Sequence, residues 1–421
     1  MQLCFILIYR LLFFPIFLCL MPYYLLKMWR RGGYKNGFLH RFGFVPKHSL
    51  NHIIWIQAVS VGEVEALQPL MELFKRHHYN VYLTTTTSTA HRIAHKKYVD
   101  LASVIAYFPL DFWLFSKLAW HRIRPQAVIL MESELWPEHL YQAICHHVDA
   151  YVINGRCSDK SFAHYNYCKP VARILFSFLT KIFASSEIDA QRFRHFCPNI
   201  PVENTGNLKV DAALCHLQFP TQNLQLESLG EHWKHSTVLL GASTWPGEEK
   251  LLLDLYQEAR KYDPYLRLIL VPRHAERSQE IKKLLQTYSF TFCLRTEPIN
   301  DAEIYVVNTT GELYQFLSFA NFVFIGKSLD PNQGGQTPIE AASLGKPMLY
   351  GPHMENFRAI CKSLEAAHGA YRCKDAYEVK QTFLAWLKDP EAAKTYGTSA
   401  LVWVQNNQGA AQRIFSSLKL I

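Results

Sequence analysis

The sequence predicts an α/β protein with two doubly wound domains in tandem, and three observations support that fold class. Short apolar runs rich in β-branched residues alternate with amphipathic stretches of helix length, as is typical of parallel sheets covered by helices. A polar, aperiodic stretch at residues 218–233 interrupts the alternation once. The chain has 421 residues, of which 49% are hydrophobic, which is long for one domain and sufficient for two cores.

Each half of the chain has its own series of predicted strands, and a helical segment follows each strand. In the first half we expect strands at residues 53–59, 81–85, 104–108, 127–131, 151–153 and 182–184. In the second half we expect them at residues 238–241, 268–271, 305–308, 322–325 and 348–350. Ligands of doubly wound sheets bind beyond the carboxyl ends of the strands, so the loops after these strands are candidate sites.

The domain boundaries follow from the same pattern. We expect a first domain at residues 32–217, a linker at 218–233 and a second domain at 234–421, after a membrane anchor at 1–31. The last helix of the chain is a candidate to pack back on the first domain.

Residues 3–26 are almost wholly apolar apart from Arg10, and about 20 such residues suffice to span a bilayer. Lys27, Arg30 and Arg31 follow at once, with no small-residue cleavage site between. This order favours an uncleaved anchor over a signal peptide, and the positive-inside rule then places the rest of the chain in the cytoplasm. Arg10 is costly within a span, so a helix embedded in the membrane interface is an open alternative.

The net charge of +9 is concentrated at the N-terminus. Residues 1–62 contain seven Lys or Arg and no Asp or Glu, which leaves +2 for the remainder. A nucleic-acid-binding face would need basic residues elsewhere, so we expect no nucleic-acid partner. The ten cysteines are scattered, which indicates reduced thiols, and the nineteen histidines lack the spacing of metal ligands, so we expect no metal.

Charged residues follow several predicted strands of the first half. Glu63 comes after the first strand and can accept a proton from a hydroxyl if it is desolvated; the alternative is a first-turn glutamate that stabilises its own helix. Glu132 and Glu134 follow the strand at 127–131 and point to different sides. Lys209 and Arg156 lie beyond later strands, where either could neutralise charge on a leaving phosphate, or could simply be solvated.

The segment at residues 334–340 is the most informative loop of the second half. Two glycines allow a close approach of the backbone to a ligand, Thr337 can cap a helix, and Pro338 suits the first helical position. Glu340 falls three residues after that cap. The N–H groups at such a helix start attract phosphate. A capped structural helix is the alternative.

Three other loops of the second half, at residues 241–249, 271–277 and 308–313, also place glycine, arginine or hydroxyl side chains after strands. Arginine at a helix entry suits a nucleotide phosphate. Four such loops on one domain indicate a nucleotide there, with an acceptor handled by Glu63 in the first domain.

Taken in order, these motifs resemble the 3-deoxy-D-manno-octulosonic acid (Kdo) transferases of lipopolysaccharide assembly. The resemblance covers nearly the whole chain, through the strings at residues 60–63, 132–137, 154–156, 206–209, 241–244, 272–277, 310–313 and 334–335. The strings S-V-G-E, E-L-W-P and P-R-H-x-E-R are specific together. The glycine-rich segment alone fits many glycosyltransferases of the two-domain GT-B fold.

The resemblance implies a GT-B fold, with two Rossmann-like domains facing across a cleft, and an inverting transfer of Kdo from CMP-Kdo to a lipid A precursor at the cytoplasmic face of the inner membrane. Glu63 resembles the general base. Glu132 and Lys209 resemble the groups that stabilise the transition state, with Glu134 as an alternative partner. The positions that resemble the CMP contacts are Pro272, Arg273, Thr310, Gly311, Glu312, Thr337, Pro338, Ile339 and Glu340. Family members often carry Asn where this chain has Thr337, so its side-chain contact is open.

Three alternatives remain at this point: a GT-B transferase that uses a UDP-sugar and a lipid acceptor, a non-catalytic, membrane-tethered nucleotide-sugar-binding protein, and a hydrolase or epimerase of the same fold. The third has no obvious need for the anchor. A phosphate leaving group needs charge stabilisation more than protonation, so one base suffices and CMP-Kdo requires no cofactor beside it. An acylated, phosphorylated acceptor accounts for the apolar anchor and for the cations from Lys27 to Lys47, which would face an anionic membrane surface.

Overall fold

A computed structural model of the chain describes residues 1–31, 37–218, 229, 231–298 and 301–418. It divides into two compact units, one formed by Met1–Ala212 with Gln408–Ile421 and the other by Ala213–Asn407. Most of the predicted linker at 218–233, namely residues 219–228 and 230, lies outside the described residues.

The first unit alternates strands and helices from its N-terminal helix onward. In chain order its elements are α1 Gln2–Arg31, a 3-10 helix Phe38–Phe42, β1 Ile53–Ala58, α2 Val61–Ala66, α3 Gln68–Arg76, β2 Asn80–Thr85, α4 Ser88–Tyr98, β3 Val104–Tyr107, α5 Trp113–Ile123, β4 Ala127–Met131, α6 Pro137–Cys145, β5 Asp149–Gly155, α7 Asp159–Tyr167, α8 Lys169–Phe176, β6 Lys181–Ala184, α9 Glu187–Phe196, β7 Val202–Asn204 and α10 Leu208–Gln218, the last of which runs into the second unit.

The second unit repeats this alternation. Its elements are a 3-10 helix Glu231–Trp233, β8 Val238–Thr244, α11 Glu248–Ala259, β9 Arg267–Pro272, a 3-10 helix Ala275–Arg277, α12 Ser278–Leu285, β10 Phe292–Leu294, β11 Ile304–Val306, α13 Leu313–Phe319, β12 Phe322–Ile325, α14 Ile339–Ser343, β13 Met348–Tyr350, a 3-10 helix Glu355–Phe357, α15 Arg358–Ala366, β14 Tyr371–Arg372, α16 Ala376–Lys388 and α17 Pro390–Asn407; helix α18, Ala410–Ser417, returns to the first unit.

The described residues of each unit form one parallel sheet of seven strands. The strand order is β3-β2-β1-β4-β5-β6-β7 in the first sheet and β10-β11-β9-β8-β12-β13-β14 in the second. The order reverses between β1 and β4 in the first sheet and between β8 and β12 in the second. Such topological switch points are where doubly wound sheets bind ligands.

The predicted fold class, α/β with two doubly wound sheets, is confirmed, and every predicted strand is present. The prediction missed β7, β10 and β14, each of only two or three residues. All three are edge strands. An edge strand needs no long apolar run, because one of its sides has no neighbouring strand to cover it.

Strand β1 shows how the sequence builds the first core. All six of its residues are buried, and successive side chains point to opposite faces. Ile53 and Trp55 therefore pack with the helices on one face, and Ile54 and Ile56 with those on the other. A strand buried on both faces reads as a continuous apolar run, which made it easy to predict.

Helix α18 is held on the first unit by Asp211 of α10. Its carboxylate accepts hydrogen bonds from the N–H groups of Gly409 and Ala411, at 2.8 and 2.7 Å. Arg413 also donates to the Thr205 carbonyl at 2.8 Å. The C-terminus is thus tied to the first unit by backbone amides and one arginine.

Candidate functional site

Glu63 lies in the first turn of α2, directly beyond β1 at the switch point of the first sheet. Its side chain is 5% exposed. The carboxylate accepts hydrogen bonds from the Val59 N–H and the Ser60 hydroxyl, both at 2.8 Å. Ser60 Oγ in turn accepts the Glu63 N–H at 3.3 Å. This reciprocal capping box fixes the orientation of the Glu63 side chain.

The pKa of Glu63 is raised to about 7 by burial; the hydrogen bond from Val59 opposes this effect and the negative charge of Glu132 adds to it. A carboxyl group that titrates near neutral pH suits a general base. Capping, the alternative use of Glu63, is also present in the structure. The two uses are compatible, because a carboxylate offers about four acceptor sites and the capping box fills two of them.

Glu132 follows β4, the neighbour of β1 at the same switch point. Its Oε1 lies 2.9 Å from Lys209 Nζ and 3.8 Å from an Arg156 guanidinium nitrogen. Burial alone would raise the pKa of Glu132, but the charges of Lys209 and Arg156 outweigh it and hold the pKa below its usual value. Glu132 is therefore ionised and keeps the Lys209 ammonium in place. The pKa of Glu134 is instead raised, by burial and by the charge of Glu132.

The backbone around this ion pair is strained. Glu132 has a φ of 56° and Asn154, at the end of β5, has a φ of 50°. Each costs about 1–2 kcal/mol relative to ordinary backbone, and such outliers cluster at functional sites. The buried Asn154 accepts the Leu208 N–H at 3.0 Å. It thereby fixes the start of α10 and, one residue on, the position of Lys209.

In the second unit, Pro272 ends β9 and Arg273 follows it on the surface. The Arg273 N–H donates to the Thr244 carbonyl at 3.0 Å, which ties this loop to the end of β8. The next arginine differs: Arg277 contacts both carboxylate oxygens of the buried Glu249, at 2.7 and 3.2 Å. Arg277 thus stabilises the fold, and Arg273 is the arginine of this loop that a ligand can reach.

The loop before α13 contains Thr310 and Gly311, both exposed. Gly311 has a φ of 87°, a conformation that favours glycine. Glu312 accepts two hydrogen bonds from the Arg295 guanidinium, each at 3.2 Å, and one from the Thr309 hydroxyl. Its carboxylate is therefore held in a fixed position at the start of the helix.

Helix α14 begins at Ile339, so Pro338 precedes the helix instead of opening it as predicted. The Thr337 hydroxyl still accepts a backbone hydrogen bond, from the Ile339 N–H at 3.3 Å. The helix has only five residues, and its dipole is correspondingly small. An anion at this position would depend on local hydrogen bonds more than on the dipole.

The glycine amides of this loop have acceptors within the protein, and the expectation that the N–H groups at the helix start attract a phosphate stays a prediction. The N–H groups of Gly334, Gly335 and Gln336 donate to Glu355 Oε2 at 3.0 Å, to the Lys327 carbonyl at 2.9 Å and to the Gly326 carbonyl at 3.1 Å. The first bond ties the loop to the 3-10 helix Glu355–Phe357, and the other two tie it to the end of β12. Both positions favour glycine, because the φ values of Gly334 and Gly335, 110° and 71°, are ones that other residues rarely adopt.

Gly335→Ala is expected to destabilise the protein. A left-handed φ costs a non-glycine residue about 1–2 kcal/mol, and the added Cβ would lie 2.4 Å from Met354 Sδ. Gly62→Ala is the matched control, because its Cβ would meet nothing within 4 Å in a helix. Chemical denaturation should show a lower unfolding free energy for the first variant alone; equal values would contradict the conformation assigned to Gly335.

Sequence reasoning missed Lys327, which follows β12 at the switch point of the second sheet. Its φ is 60°, and its Nζ lies 4.5 Å from the centre of the Trp245 ring, which follows β8. The buried Glu248 joins the two loops by accepting the N–H groups of Trp245 at 2.9 Å and of Lys327 at 2.8 Å. The available signal was a lysine that follows a predicted strand after one glycine. Its left-handed backbone could not be predicted from the sequence.

Comparison with known proteins shows a similarity to Kdo transferases. Residues 36–212 match the profile of the family described as 3-Deoxy-D-manno-octulosonic-acid transferase (kdotransferase). The 3-deoxy-D-manno-octulosonic acid transferase of Rickettsia bellii is 29% identical over 374 residues, which are 86% of this chain and 87% of the relative. The enzyme of the same name from Haemophilus influenzae is 28% identical over 415 residues, 96% of this chain and 95% of the relative. The chain is therefore similar to Kdo transferases, to the family profile over residues 36–212 and to the two enzymes over most of its length.

This similarity to Kdo transferases confirms the predicted enzyme class, a glycosyltransferase. The fold agrees with GT-B-like structures: UDP-GlcNAc 2-epimerase from Neisseria meningitidis has a TM-score of 0.57 at 16% identity and covers 87% of this chain and 99% of its own. That similarity concerns the fold alone. In the described part of the chain, no three His, Cys, Asp or Glu side chains are grouped to hold a metal ion, and the expectation of a metal-free site stays a prediction.

Proposed function

We propose that the chain is an inverting glycosyltransferase that moves Kdo from CMP-Kdo to a lipid A precursor in lipopolysaccharide biosynthesis. The observation that carries the proposal is the grouping of the buried Glu63 with the Glu132–Lys209 pair at one switch point of a chain similar to Kdo transferases. Their charges interact, yet the pKa of Glu63 is raised while that of Glu132 is lowered. Two carboxylates with such different pKa values suit different roles.

In this proposal, Glu63 accepts the proton of the acceptor hydroxyl as that oxygen attacks the Kdo anomeric carbon. The bond from that carbon to the CMP phosphate breaks, and the phosphate leaves as an anion. Lys209, fixed by Glu132, supplies positive charge where negative charge develops on the leaving group. The arrangement requires one base and no acid, because the phosphate does not need a proton to leave.

The proposed CMP contacts are the exposed Arg273, the loop with Thr310 and Gly311, and the segment from Thr337 to Glu340. Their support is family resemblance together with their position beyond β9, β11 and β12 in the second sheet. Because the glycine amides of the last loop are already bonded to protein acceptors, its contacts to CMP are assigned to Thr337 and to residues after it.

The donor assignment is tested by CMP release. Purified enzyme with a lipid A precursor is incubated with CMP-Kdo and, separately, with a panel of UDP-sugars. We expect turnover with CMP-Kdo alone. Turnover with a UDP-sugar alone would contradict the proposal and support the alternative lipid glycosyltransferase.

The pH dependence of transfer should reflect Glu63. Because the ionised form has to accept the proton, kcat/KM is expected to fall about tenfold per pH unit below pH 7 and to level off above it. The midpoint follows from the pKa of about 7 that burial gives Glu63. A profile that stays flat from about pH 5 to 8 would contradict the role of Glu63 as base.

Lys327→Gln is expected to weaken CMP binding about tenfold, the effect of losing one hydrogen bond to a charged group. Lys327 lies at the switch point of the second sheet, and in the described part of the chain its ammonium has no carboxylate partner. Lys283→Gln, on the exposed side of α12, is the control. Equal CMP affinity of the two variants, measured by calorimetry, would remove Lys327 from the donor site.

The chain is assigned to the cytoplasmic face of the inner membrane, where its lipid acceptor would be found. Support comes from α1: by length and composition Gln2–Tyr23 could cross a membrane, with a mean hydropathy of 2.5 over an 18-residue window of that segment. The cations that follow this segment in the sequence favour a cytoplasmic body.

A further inference from the structure

Helix α1 lies along the surface of the first unit over residues 2–17. Ile6 is fully buried, Phe5 packs 6.1 Å from Phe178 and Phe17 stacks on Phe112 at 5.0 Å between ring centres. At a rise of 1.5 Å per residue, this contact extends for about 24 Å. More than half of the apolar helix is therefore docked on protein along one side.

Arg10, the charge that disfavoured a spanning helix, lies at the centre of this contact. Its Nε and one terminal nitrogen donate to the two carboxylate oxygens of Glu138, both at 2.8 Å, and the Glu138 side chain is fully buried. The guanidinium also lies 5.2 Å from the centre of the Tyr141 ring. A bidentate pair of this kind is strong and directional, and removing its cation leaves a buried carboxylate unpaired.

A second polar contact lies one residue before the first. The Tyr9 hydroxyl donates to Asp111 Oδ2 at 2.9 Å. Asp111 is itself buried and accepts the N–H groups of Glu138 and His139 at the start of α6. The N-terminal end of α6 is thus bound to α1 twice, through Asp111 and through Glu138. Both contacts would be broken if α1 moved away from the unit.

The opposite face of α1 is apolar and exposed. Leu7, Ile8, Leu11, Leu12 and Ile16 are 53 to 75% exposed. Arg10, which points to the protein, is the sole charged residue between positions 3 and 26. The exposed face continues onto Trp113 and Leu114 of α5, next to Phe112 and its stack with Phe17.

We propose that α1 lies in the plane of the membrane and does not cross it. Its exposed face enters the lipid of one leaflet while its inner face stays docked on the first unit. If α1 crossed the membrane, Arg10 would lose its ion pair with Glu138 and would lie in the hydrocarbon core. If only the part beyond residue 17 crossed, the segment at 18–26 would rise about 14 Å, less than half of the roughly 30 Å hydrocarbon core.

A bilayer fits this face better than a second copy of the chain does. Protein interfaces carry a polar rim around their apolar centre, whereas the exposed side of α1 has no charged group over residues 3–23. Trp113 is a residue type enriched at membrane surfaces. In the sequence, Lys27, Arg30 and Arg31 follow the apolar segment, as contact with anionic headgroups requires.

Protease accessibility in inverted inner-membrane vesicles, which expose the cytoplasmic face, distinguishes the two arrangements. The full chain carries a cleavable tag at each end. A helix in the plane leaves both tags on the same side, so both should be cleaved without detergent. An N-terminal tag that is protected until detergent is added, while the C-terminal tag is cleaved, would show a spanning helix and overturn the proposal.

Binding of the purified full chain to vesicles of phosphatidylethanolamine and phosphatidylglycerol tests the exposed face. Leu11→Asp should reduce sedimentation with vesicles several-fold without changing Tm. Tyr167→Asp is the control, since Tyr167 is 90% exposed on α7. Equal sedimentation of the two variants, or a lipid-free dimer that does not bind vesicles, would overturn the proposal.

A double-mutant cycle tests whether Arg10 holds α1 in place. Arg10→Gln and Glu138→Gln should each lower Tm, and the double variant should lose less than the two single losses together. Strictly additive losses would show that the two side chains do not interact, and would overturn the docked arrangement. The cycle uses the full chain, because deleting residues 1–26 would remove Arg10 and uncover Glu138.

Discussion

Glu63→Gln is expected to lower kcat by about 10²–10⁴-fold, the usual contribution of a general base, with CMP affinity unchanged. The side-chain amide of the introduced glutamine cannot take the proton of the acceptor hydroxyl. It can still complete the capping box, because glutamine serves in that position and the Ser60 hydroxyl can either donate or accept. The measurements are single-turnover transfer of Kdo from CMP-Kdo and calorimetric titration with CMP.

Glu65→Gln is the matched control for this experiment, because Glu65 is an exposed residue of the same short helix. It should retain the wild-type rate. If Glu63→Gln also turned over at the wild-type rate, Glu63 would not be the base. If it lost CMP affinity together with activity, its effect would be structural.

Lys209→Met is the second change with a large expected effect, a loss of about 10²–10³ in kcat. That is the range measured when one group that stabilises developing negative charge is removed. Methionine keeps most of the length and apolar volume of the side chain, so the packing at the start of α10 is conserved. The rate should fall more than KM changes, because the charge that Lys209 stabilises appears only as the phosphate leaves.

Two further variants separate catalysis from charge balance. Lys209→Arg keeps the positive charge and should recover part of the rate. Lys209→Met combined with Glu132→Gln removes the ion pair as a unit, so that no carboxylate lacks its partner. We expect this double variant to regain stability but not activity. Recovery of transfer in the double variant would show that Lys209 only neutralises Glu132.

The central strands could be predicted from the sequence because each is buried on both faces. β4 is an uninterrupted apolar run and β1 is apolar except at Gln57. Their bounds at residues 53–58 and 127–131 nearly coincide with the expected ones. β7 and β14 could not be found in this way. As edge strands they need neither length nor continuous hydrophobicity, so their local sequence resembles that of a loop.

Less of the site could be predicted from the local sequence, because its contacts join segments that are far apart in the chain. Glu132 and Lys209 are 77 positions apart, and family resemblance, not spacing, suggested their pairing. The partners of the glycine loop could not be predicted for the same reason: the sequence indicates a turn at Gly334 and Gly335, but the acceptors of their amides lie on the Glu355 side chain and at Lys327.

The role of Arg10 is a third feature that the sequence alone could not settle. Alone in an apolar segment it is an anomaly, and the sequence left two arrangements of the anchor open. Its partner, Glu138, is 128 positions away. No sequence feature of the helix that contains Glu138 predicts a buried carboxylate there. The contact between them changes an unfavourable residue of a spanning helix into a docking residue of a helix on the protein surface.

The most direct test of the central claim is the mass of the lipid formed by the purified enzyme. The full chain is incubated with CMP-Kdo and a lipid A precursor, and the lipid fraction is analysed by mass spectrometry. We predict a product heavier than the acceptor by one or more whole Kdo residues, absent when Glu63→Gln replaces the wild type. An unmodified lipid in the presence of folded, CMP-binding enzyme would contradict the assignment.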